Sequence, residues 1–169
     1  GAVIEVKSCL GQPYGSAIID TPVVLRGKAG GPRPKIASTS LVPALKVASS
    51  NVIIEYLELS GGTPVVDVFK ESGSLDNVVL HDLVIREPST ENETLNHTPR
   101  IGLRVKAASG VSVEDVHVEG VEALPHKQSY WSNDYIVHVL EDWAPLAFGV
   151  LVESSYGVSL TNLTVTDIA

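Results

Sequence analysis

The stretch Asn51–Leu59, with the sequence NVIIEYLEL, occurs in related form three more times along the chain. The other copies are NVVLHDLVI at Asn77–Ile85, GVSVEDVHV at Gly110–Val118 and GVSLTNLTV at Gly157–Val165. Every copy begins with Asn or Gly, and its second, fourth, seventh and ninth residues are always Val, Ile or Leu. Apolar residues at alternate positions predict a β-strand with one buried face. The four copies therefore predict one structural unit that the chain repeats and stacks.

The alternation shifts by one residue in the middle of each copy, between its fourth and seventh positions. A straight strand would turn its second half away from the core after such a shift. A two-residue bend lets both halves face the same interior, and we expect Ile54, Leu80, Val113 and Leu160 to form one inward row. The bends hold Tyr56, Asp82, Asp115 and Asn162. These side chains could form a polar ladder that binds the turn backbone.

A third alternating segment precedes most copies, at residues 44–47, 65–69, 101–105 and 148–152. Three short strands in each repeat are typical of the coil of a parallel β-helix. On these residues the sequence resembles the right-handed parallel β-helix superfamily, which contains pectate lyases, polygalacturonases and pectin esterases. The resemblance implies an all-β, right-handed parallel β-helix of about six or seven coils, forming a single domain over residues 1–169 with two loop insertions. It does not imply one activity, because function on a fold of this kind lies in individual sites.

Composition narrows the classes of function. The formal net charge of −8 at pH 7 argues against nucleic acid as a partner, and against binding of anionic polysaccharide by overall charge. No run of eighteen apolar residues occurs, so no membrane span is expected. The lone Cys9 excludes an intrachain disulfide, and its apolar neighbours predict a core position. The absence of Met and the strand-like start at Gly1 predict a processed or excised chain, and the resemblance implies an extracellular or cell-surface location.

Two polar or aromatic segments interrupt the repeat. Residues 87–100 predict an exposed loop, in which Asn92 is the candidate N-glycosylation site. Residues 119–147 predict either a loop with one strand or an additional degenerate coil around residues 135–139. This second segment contains Tyr130, Trp131, Tyr135 and Trp143. Such aromatic residues either stack on sugar rings and anchor a protein interface, or pack on the flank of the domain as a small satellite core.

One row of charged residues should point outward from the third alternating segment. Lys46, Asp67 and Arg104 occupy the same position in successive repeats. Stacked strands lie about 4.8 Å apart, so these side chains should form a ladder of alternating charge. One interpretation of the ladder is purely structural, with each surface pair contributing a few tenths of a kcal/mol.

The resemblance also gives this row a catalytic interpretation. In pectate lyases the corresponding face carries acidic calcium ligands and a basic catalytic residue, which makes Asp67, Arg104 and Lys46 the candidates if the protein is an enzyme. Calcium is expected only in that case, and no other cofactor is expected. The Gly-His-Gly run of polygalacturonases is absent from the sequence, and glycoside hydrolysis needs two carboxylates where this face offers one. The spacing of His81 and His117 follows the repeat rather than a ligand motif, so no metal site is predicted.

Strand-like residues occupy both ends of the chain, and no amphipathic helix covers them. The end of a β-helix exposes apolar interior and unpaired backbone, and repeat proteins normally cover it with a polar cap. We therefore expect either a domain excised from a longer solenoid or ends that contact other copies, a contact that builds a filament.

The leading hypothesis is a non-catalytic extracellular structural module that stacks end to end with copies of itself. One alternative is a carbohydrate-active enzyme, or a fragment of one, of the polysaccharide lyase type, acting on acidic polysaccharide along the Asp67 face. A third is a polysaccharide-binding module that uses the aromatic segment. The state of association in dilute solution separates the first hypothesis from the second.

Overall fold

The computed structural model describes residues 1–9, 11–87, 99–121 and 147–168. This part of the chain is all-β and contains no helix, so it has no helix that could cross a membrane. Its strands are β1 Ala2–Val6, β2 Ala17–Ile19, β3 Val23–Gly27, β4 Lys35–Ala37, β5 Leu45–Val47, β6 Val52–Ser60, β7 Val66–Val68, β8 Leu75–Arg86, β9 Arg100–Lys106, β10 Ala108–Glu114, β11 His117–Glu119, β12 Ala147–Glu153, β13 Ser159–Thr161 and β14 Thr164–Thr166.

The strands pair in parallel into two sheets. Sheet A has the order β1-β3-β6-β8-β10-β13, and β4, β11 and β14 pair along the second halves of its repeats. Sheet B has the order β12-β9-β7-β5-β2. Each strand pairs with the equivalent strand of the next repeat, an arrangement consistent with a parallel β-solenoid. We call the strands of one repeat a layer: β1 is in layer 1, β2–β4 in layer 2, β5–β6 in layer 3, β7–β8 in layer 4, β9–β11 in layer 5 and β12–β14 in layer 6.

The bends inside the repeats are made by residues with left-handed backbone. Tyr56, Asp82, Asp115 and Asn162 have φ values of 57°, 52°, 53° and 51°. The first residues of the copies share this conformation, with φ of 57°, 55°, 58° and 62° at Asn51, Asn77, Gly110 and Gly157. Gly, Asn and Asp tolerate left-handed backbone better than other residues, which explains why they recur at these positions.

The inward row predicted from the repeat is confirmed. Ile54 pairs with Leu80, Leu80 with Val113, and Val113 with Leu160. The same row continues through Leu25 to Ile4. Its central members are buried, whereas Ile4 is 50% exposed and Leu160 is 45% exposed. The core is therefore a set of stacked aliphatic rows that are covered in the middle layers and open at the two end layers.

Two glycines let the sides of the molecule approach each other closely. A Cβ atom on Gly102 would lie 2.5 Å from Val118 Cγ1 and 2.7 Å from the carbonyl oxygen of Gly149. A Cβ atom on Gly149 would clash in the same way with Val165. The absence of a side chain at both positions thus allows Val118 and Val165 to pack directly against the backbone of sheet B.

The strands of layers 5 and 6 pair directly with each other. β9 pairs with β12, β10 with β13 and β11 with β14. Layers 5 and 6 are therefore adjacent, and the alternative between a loop with one strand and an additional coil around residues 135–139 lies outside the described residues. The aromatic candidates Tyr130, Trp131, Tyr135 and Trp143, like the glycosylation candidate Asn92, lie outside the described residues.

The prediction of a core position for Cys9 is wrong. Its side chain is exposed, and the thiol donates to the hydroxyl oxygen of Tyr14 at 3.4 Å. The strand that contains the apolar residues ends at Val6, and the chain then leaves sheet A. Cys9 therefore lies on the connection between β1 and Tyr14, which forms a parallel bridge with Ile36 of β4, and not on an inward strand position.

Candidate functional site

The outward row on sheet B has the predicted register. Lys46 pairs with Asp67, and Asp67 pairs with Arg104. The row extends to Ile18 on one side and to Leu151 on the other. The structure thus brings the three charged candidates together on neighbouring strands.

Asp67 and Arg104 form a two-pronged ion pair at the centre of this row. The Nε and Nη2 atoms of Arg104 each donate to a different carboxylate oxygen of Asp67 at 2.9 Å. The Asp67 side chain is 5% exposed and the Arg104 side chain 24% exposed. Hydrogen bonding to Asp67 raises the pKa of the Arg104 guanidinium. A largely buried bidentate pair costs more to break than a surface pair, so the few tenths of a kcal/mol expected for a surface ladder are too small here.

The residues on this face do not fit a calcium site. Both carboxylate oxygens of Asp67 are already bound by Arg104. The described ranges also contain no group of three or more His, Cys, Asp or Glu residues arranged to hold a metal ion. Calcium prefers several carboxylate and carbonyl oxygens around one point, and this row offers one neutralised carboxylate.

Three cations surround a single aromatic ring beside the ion pair. Lys46 Nζ lies 5.8 Å from the centre of the Phe69 ring, Arg104 Cζ 5.6 Å and Lys106 Nζ 5.7 Å. We call Lys46, Phe69, Arg104 and Lys106 the sheet-B patch. Glu71 lies at its edge, 4.0 Å from Lys46. The patch holds three cations around one half-buried aromatic ring, and the carboxylates of Asp67, Glu71 and Glu153 lie beside these cations.

Sequence reasoning identified two members of this patch and missed the other two. Phe69 and Lys106 stand two residues after Asp67 and Arg104. Because side chains alternate along a strand, residues two apart share a face, and this spacing was the signal that could have found them. The sequence does not show that their side chains converge on one point.

A second charged cluster lies on the outer side of the second half of sheet A. Lys35 Nζ is 2.9 Å from a carboxylate oxygen of Glu58, and Arg86 Nε is 3.3 Å from the same oxygen. Arg86 also pairs with Glu119, whose other oxygen lies 2.8 Å from His117 Nε2. The cluster lines a groove of about 720 Å³. Its carboxylates are neutralised by cations of the neighbouring strands, so the cluster ties layers together and offers no free acid or base pair.

The bend residues form a partial side-chain ladder. Asp115 accepts from Asn162 Nδ2 at 2.5 Å and lies 3.2 Å from His81 Nε2. Asn77 Nδ2 likewise donates to Asn51 Oδ1 at 2.9 Å at the start of two repeats. His81 and His117 contact different carboxylates, so the structure does not join them in one site.

Both ends of the described solenoid expose apolar side chains. At the layer 6 end, Leu160, Val165 and Ile168 are 45%, 40% and 38% exposed. At the layer 1 end, a cavity of about 640 Å³ opens between the sheets, with aliphatic walls formed by Ile4, Val6, Ala17, Ile19, Leu25 and Ile36.

Comparison with protein-family models, with curated proteins and with solved structures gives no match to this chain. The resemblance to the pectate lyase-like superfamily therefore stays a prediction, and function is inferred from the geometry.

Proposed function

We propose that the protein is a non-catalytic extracellular structural module, a right-handed parallel β-helix that associates end to end with copies of itself. The observation that supports this most directly is the exposure of one inward row at both of its ends. Ile4 is 50% exposed and Leu160 is 45% exposed, whereas Ile54, Leu80 and Val113 between them are fully buried. Covering both ends would remove apolar surface from water, which favours association.

Backbone pairing supports the same proposal. In the described structure β1 pairs only with β3 along this edge, and β13 pairs only with β10. Their outer edges therefore carry N–H and C=O groups that a further parallel strand could bind. If β13 of one copy paired with β1 of the next in the register of the other layers, Leu160 would lie beside Ile4 and Thr161 beside Glu5. The joint would thus extend the aliphatic row without placing an unpaired charge in the interior.

Sedimentation velocity over a range of protein concentrations tests this proposal. We expect association to increase with concentration, and either Ile4→Lys or Val165→Lys to prevent it by placing a charge in the joint. Val3→Lys is the matched control, because Val3 lies on the same strand but is in the outward row and is 56% exposed. A parent protein that stays monomeric at high concentration would contradict the proposal, and so would a Val3→Lys protein that loses association as completely as Ile4→Lys.

A second function is favoured by the sheet-B patch, namely binding of an acidic polysaccharide. Its three cations lie within 5.8 Å of the Phe69 ring, and the sides of a uronate sugar offer a carboxylate and an apolar face to such a surface. Arg104 is held by Asp67, which leaves the two lysines as the cations that can turn toward a ligand. This function requires no catalytic step and is compatible with end-to-end association.

Calorimetric titration with polygalacturonate tests the second function. We expect binding that weakens at least tenfold in a Lys46→Ala, Lys106→Ala double variant, and no binding of a neutral glucan. A Lys7→Ala, Lys28→Ala variant removes the same charge from exposed positions that follow β1 and β3 of sheet A, and it serves as the control. Equal binding by both double variants would show that the patch is not the site. Cleavage of the polymer that disappears in Asp67→Asn would instead support the lyase hypothesis.

A further inference from the structure

The outer face of sheet A carries a stripe of aliphatic side chains. An outward row pairs Val3 with Val24, Val24 with Ile53, and Ile53 with Val79. Val3 is 56% exposed, and the other three are half-buried between their strand neighbours. We call these four residues the aliphatic stripe.

The strands under the stripe are apolar on both faces. Their sequences are VVL at 23–25, VII at 52–54 and VVL at 78–80, of which the first and third residues of each run point into the core. Continuous apolar runs of this kind are typical of parallel sheets that are covered on both sides. Here the core covers the inner face, and the stripe on the outer face is open to solvent.

A row of charged and titratable side chains runs beside the stripe, two residues further along each strand. It pairs Glu5 with Arg26, Arg26 with Glu55, and Glu55 with His81. We call these four residues the charged row. The side chains of Arg26 and Glu5 are 48% and 43% exposed and lie 3.7 Å apart, and that of His81 is 42% exposed. The row therefore holds its charges in a fixed order that a partner can reach.

The order of the charged row is complementary to itself when a second copy is turned over and placed face to face. A twofold axis parallel to the strands, between layers 2 and 3, sets layer 2 of each copy opposite layer 3 of the other, and layer 1 opposite layer 4. Arg26 then faces Glu55 of the second copy, and Glu5 faces the ring of His81, which can donate to a carboxylate. Each contact occurs twice, and no two like charges of the row face each other.

The same axis also matches the aliphatic stripe. It sets Val24 opposite Ile53 of the second copy and Val3 opposite Val79, so all four side chains are covered by aliphatic ones. An axis one layer further, between layers 3 and 4, would set Val24 against Ser112, which continues the row in layer 5. An axis parallel to the stack of layers and through the stripe would set the charged row against the uncharged residues that begin the copies of the repeat.

We propose that the outer face of sheet A in layers 1 to 4 binds a second copy of this chain, with the layers of the two copies in opposite order. This contact is separate from the end-to-end joint, because it buries outward side chains on the flank of the solenoid. Four strands span about 19 Å, so the contact is smaller than most stable dimer interfaces and the dimer is expected to be weak. In a filament the contact would recur once in every subunit, and it would join two filaments side by side.

Sedimentation equilibrium of the Val165→Lys protein tests the proposal, because this substitution blocks the end-to-end joint and leaves layers 1 to 4 unchanged. We expect an equilibrium between monomer and dimer. Adding Val79→Lys should weaken the dimer at least tenfold, since it places a charge in the stripe. Adding Val84→Lys is the matched control and should change dimerisation by less than about threefold. Val84 is also a half-buried outward valine of β8, but it lies beyond the bend and outside the stripe.

Exchange of charges identifies the facing residues. In the same background, Arg26→Glu alone and Glu55→Arg alone each set like charges opposite each other, and each should weaken the dimer at least tenfold. An equal mixture of these two variants restores opposite charges across the interface and should dimerise within about threefold of the Val165→Lys protein. An effect on the folding of one chain cannot produce recovery in a mixture.

Two results would overturn the proposal: a Val165→Lys protein that stays monomeric at high concentration, and a mixture that associates no better than its components. Recovery in a mixture of Arg26→Glu with Glu114→Arg instead would overturn the alignment, because Arg26 faces Glu114 only if the axis lies between layers 3 and 4. Failure here leaves the end-to-end proposal to its own test, since that joint uses the inward row and this contact does not.

Discussion

At the scale of single residues, left-handed backbone sets the shape of the repeat. Besides its first residue and its bend residue, each repeat has a third residue with left-handed backbone just after the copy ends. These residues are Gly61, Glu87, Gly120 and Asp167. Among the four bend residues, Tyr56 is the one that is not Asn or Asp, and its surroundings stabilise the left-handed conformation. Its hydroxyl donates to the carbonyl oxygen of Gly31 at 2.8 Å, and Arg33 lies 4.5 Å from the centre of its ring. Interactions with the loop before β4 thus offset the backbone strain at Tyr56.

Substitution of Asp67 tests how much stability the Asp67–Arg104 ion pair on sheet B contributes. Asp67→Asn removes the charge but keeps the size, and leaves the guanidinium of Arg104 with a neutral partner in a site where Asp67 is 5% exposed. We expect the free energy of unfolding to fall by about 1–3 kcal/mol. Urea denaturation of the monomeric protein measures it. Glu71→Gln is the control, because the Glu71 side chain is 87% exposed and its effect should stay within about 0.5 kcal/mol. Equal effects of the two substitutions would mean that the Asp67–Arg104 pair adds no stability.

At the scale of the strands, alternating apolar residues predict the register and which side chains face inward. They do not predict which side chains of strands distant in the sequence contact each other. The register of Ile54, Leu80 and Val113 follows from their equal positions in the copies, and it is confirmed. The packing at Gly102 and Gly149 could not be predicted, because a glycine in an alternating segment does not reveal which side chain packs over it. The prediction of a core position for Cys9 was wrong because apolar neighbours indicate a strand but do not show at which residue the strand ends.

The charged sites show the same division. The row of Lys46, Asp67 and Arg104 is periodic and was therefore predictable, whereas the burial of Asp67 is not. The Asp67 carboxylate is buried because the Arg104 side chain lies over it. That side-chain conformation does not follow from the periodic pattern of the sequence. The cluster around Arg86 went unrecognised because its members lie on two outward rows, Lys35 with Glu58 and Arg86 with Glu119. The two rows meet through the diagonal contact between Arg86 and Glu58, which the sequence does not show.

At the scale of the whole molecule, stability is distributed unevenly along the stack of layers. A repeat protein is stabilised by contacts between neighbouring layers, so an end layer has one neighbour where a central layer has two. The inward row makes this visible, since Leu80 is fully buried in layer 4 and Leu160 is 45% exposed in layer 6. The two leucines have the same position in their repeats. Among the described residues, Leu80 has a paired neighbour in the layers on both sides, whereas Leu160 has one in layer 5.

Alanine substitutions of Leu80 and Leu160 compare the stability that the same inward position contributes in a central layer and in an end layer. Leu80→Ala leaves a cavity between two covered layers and should lower the free energy of unfolding by about 2–5 kcal/mol. Leu160→Ala removes the same atoms from a side chain that is 45% exposed, and in dilute monomeric protein it should cost less than half as much. At concentrations where the protein associates, the difference between the two costs should shrink, because docking of a second copy on β13 would bury Leu160. Urea denaturation at both concentrations makes the comparison. A cost for Leu160→Ala that does not change with protein concentration would mean that β13 is not covered on association.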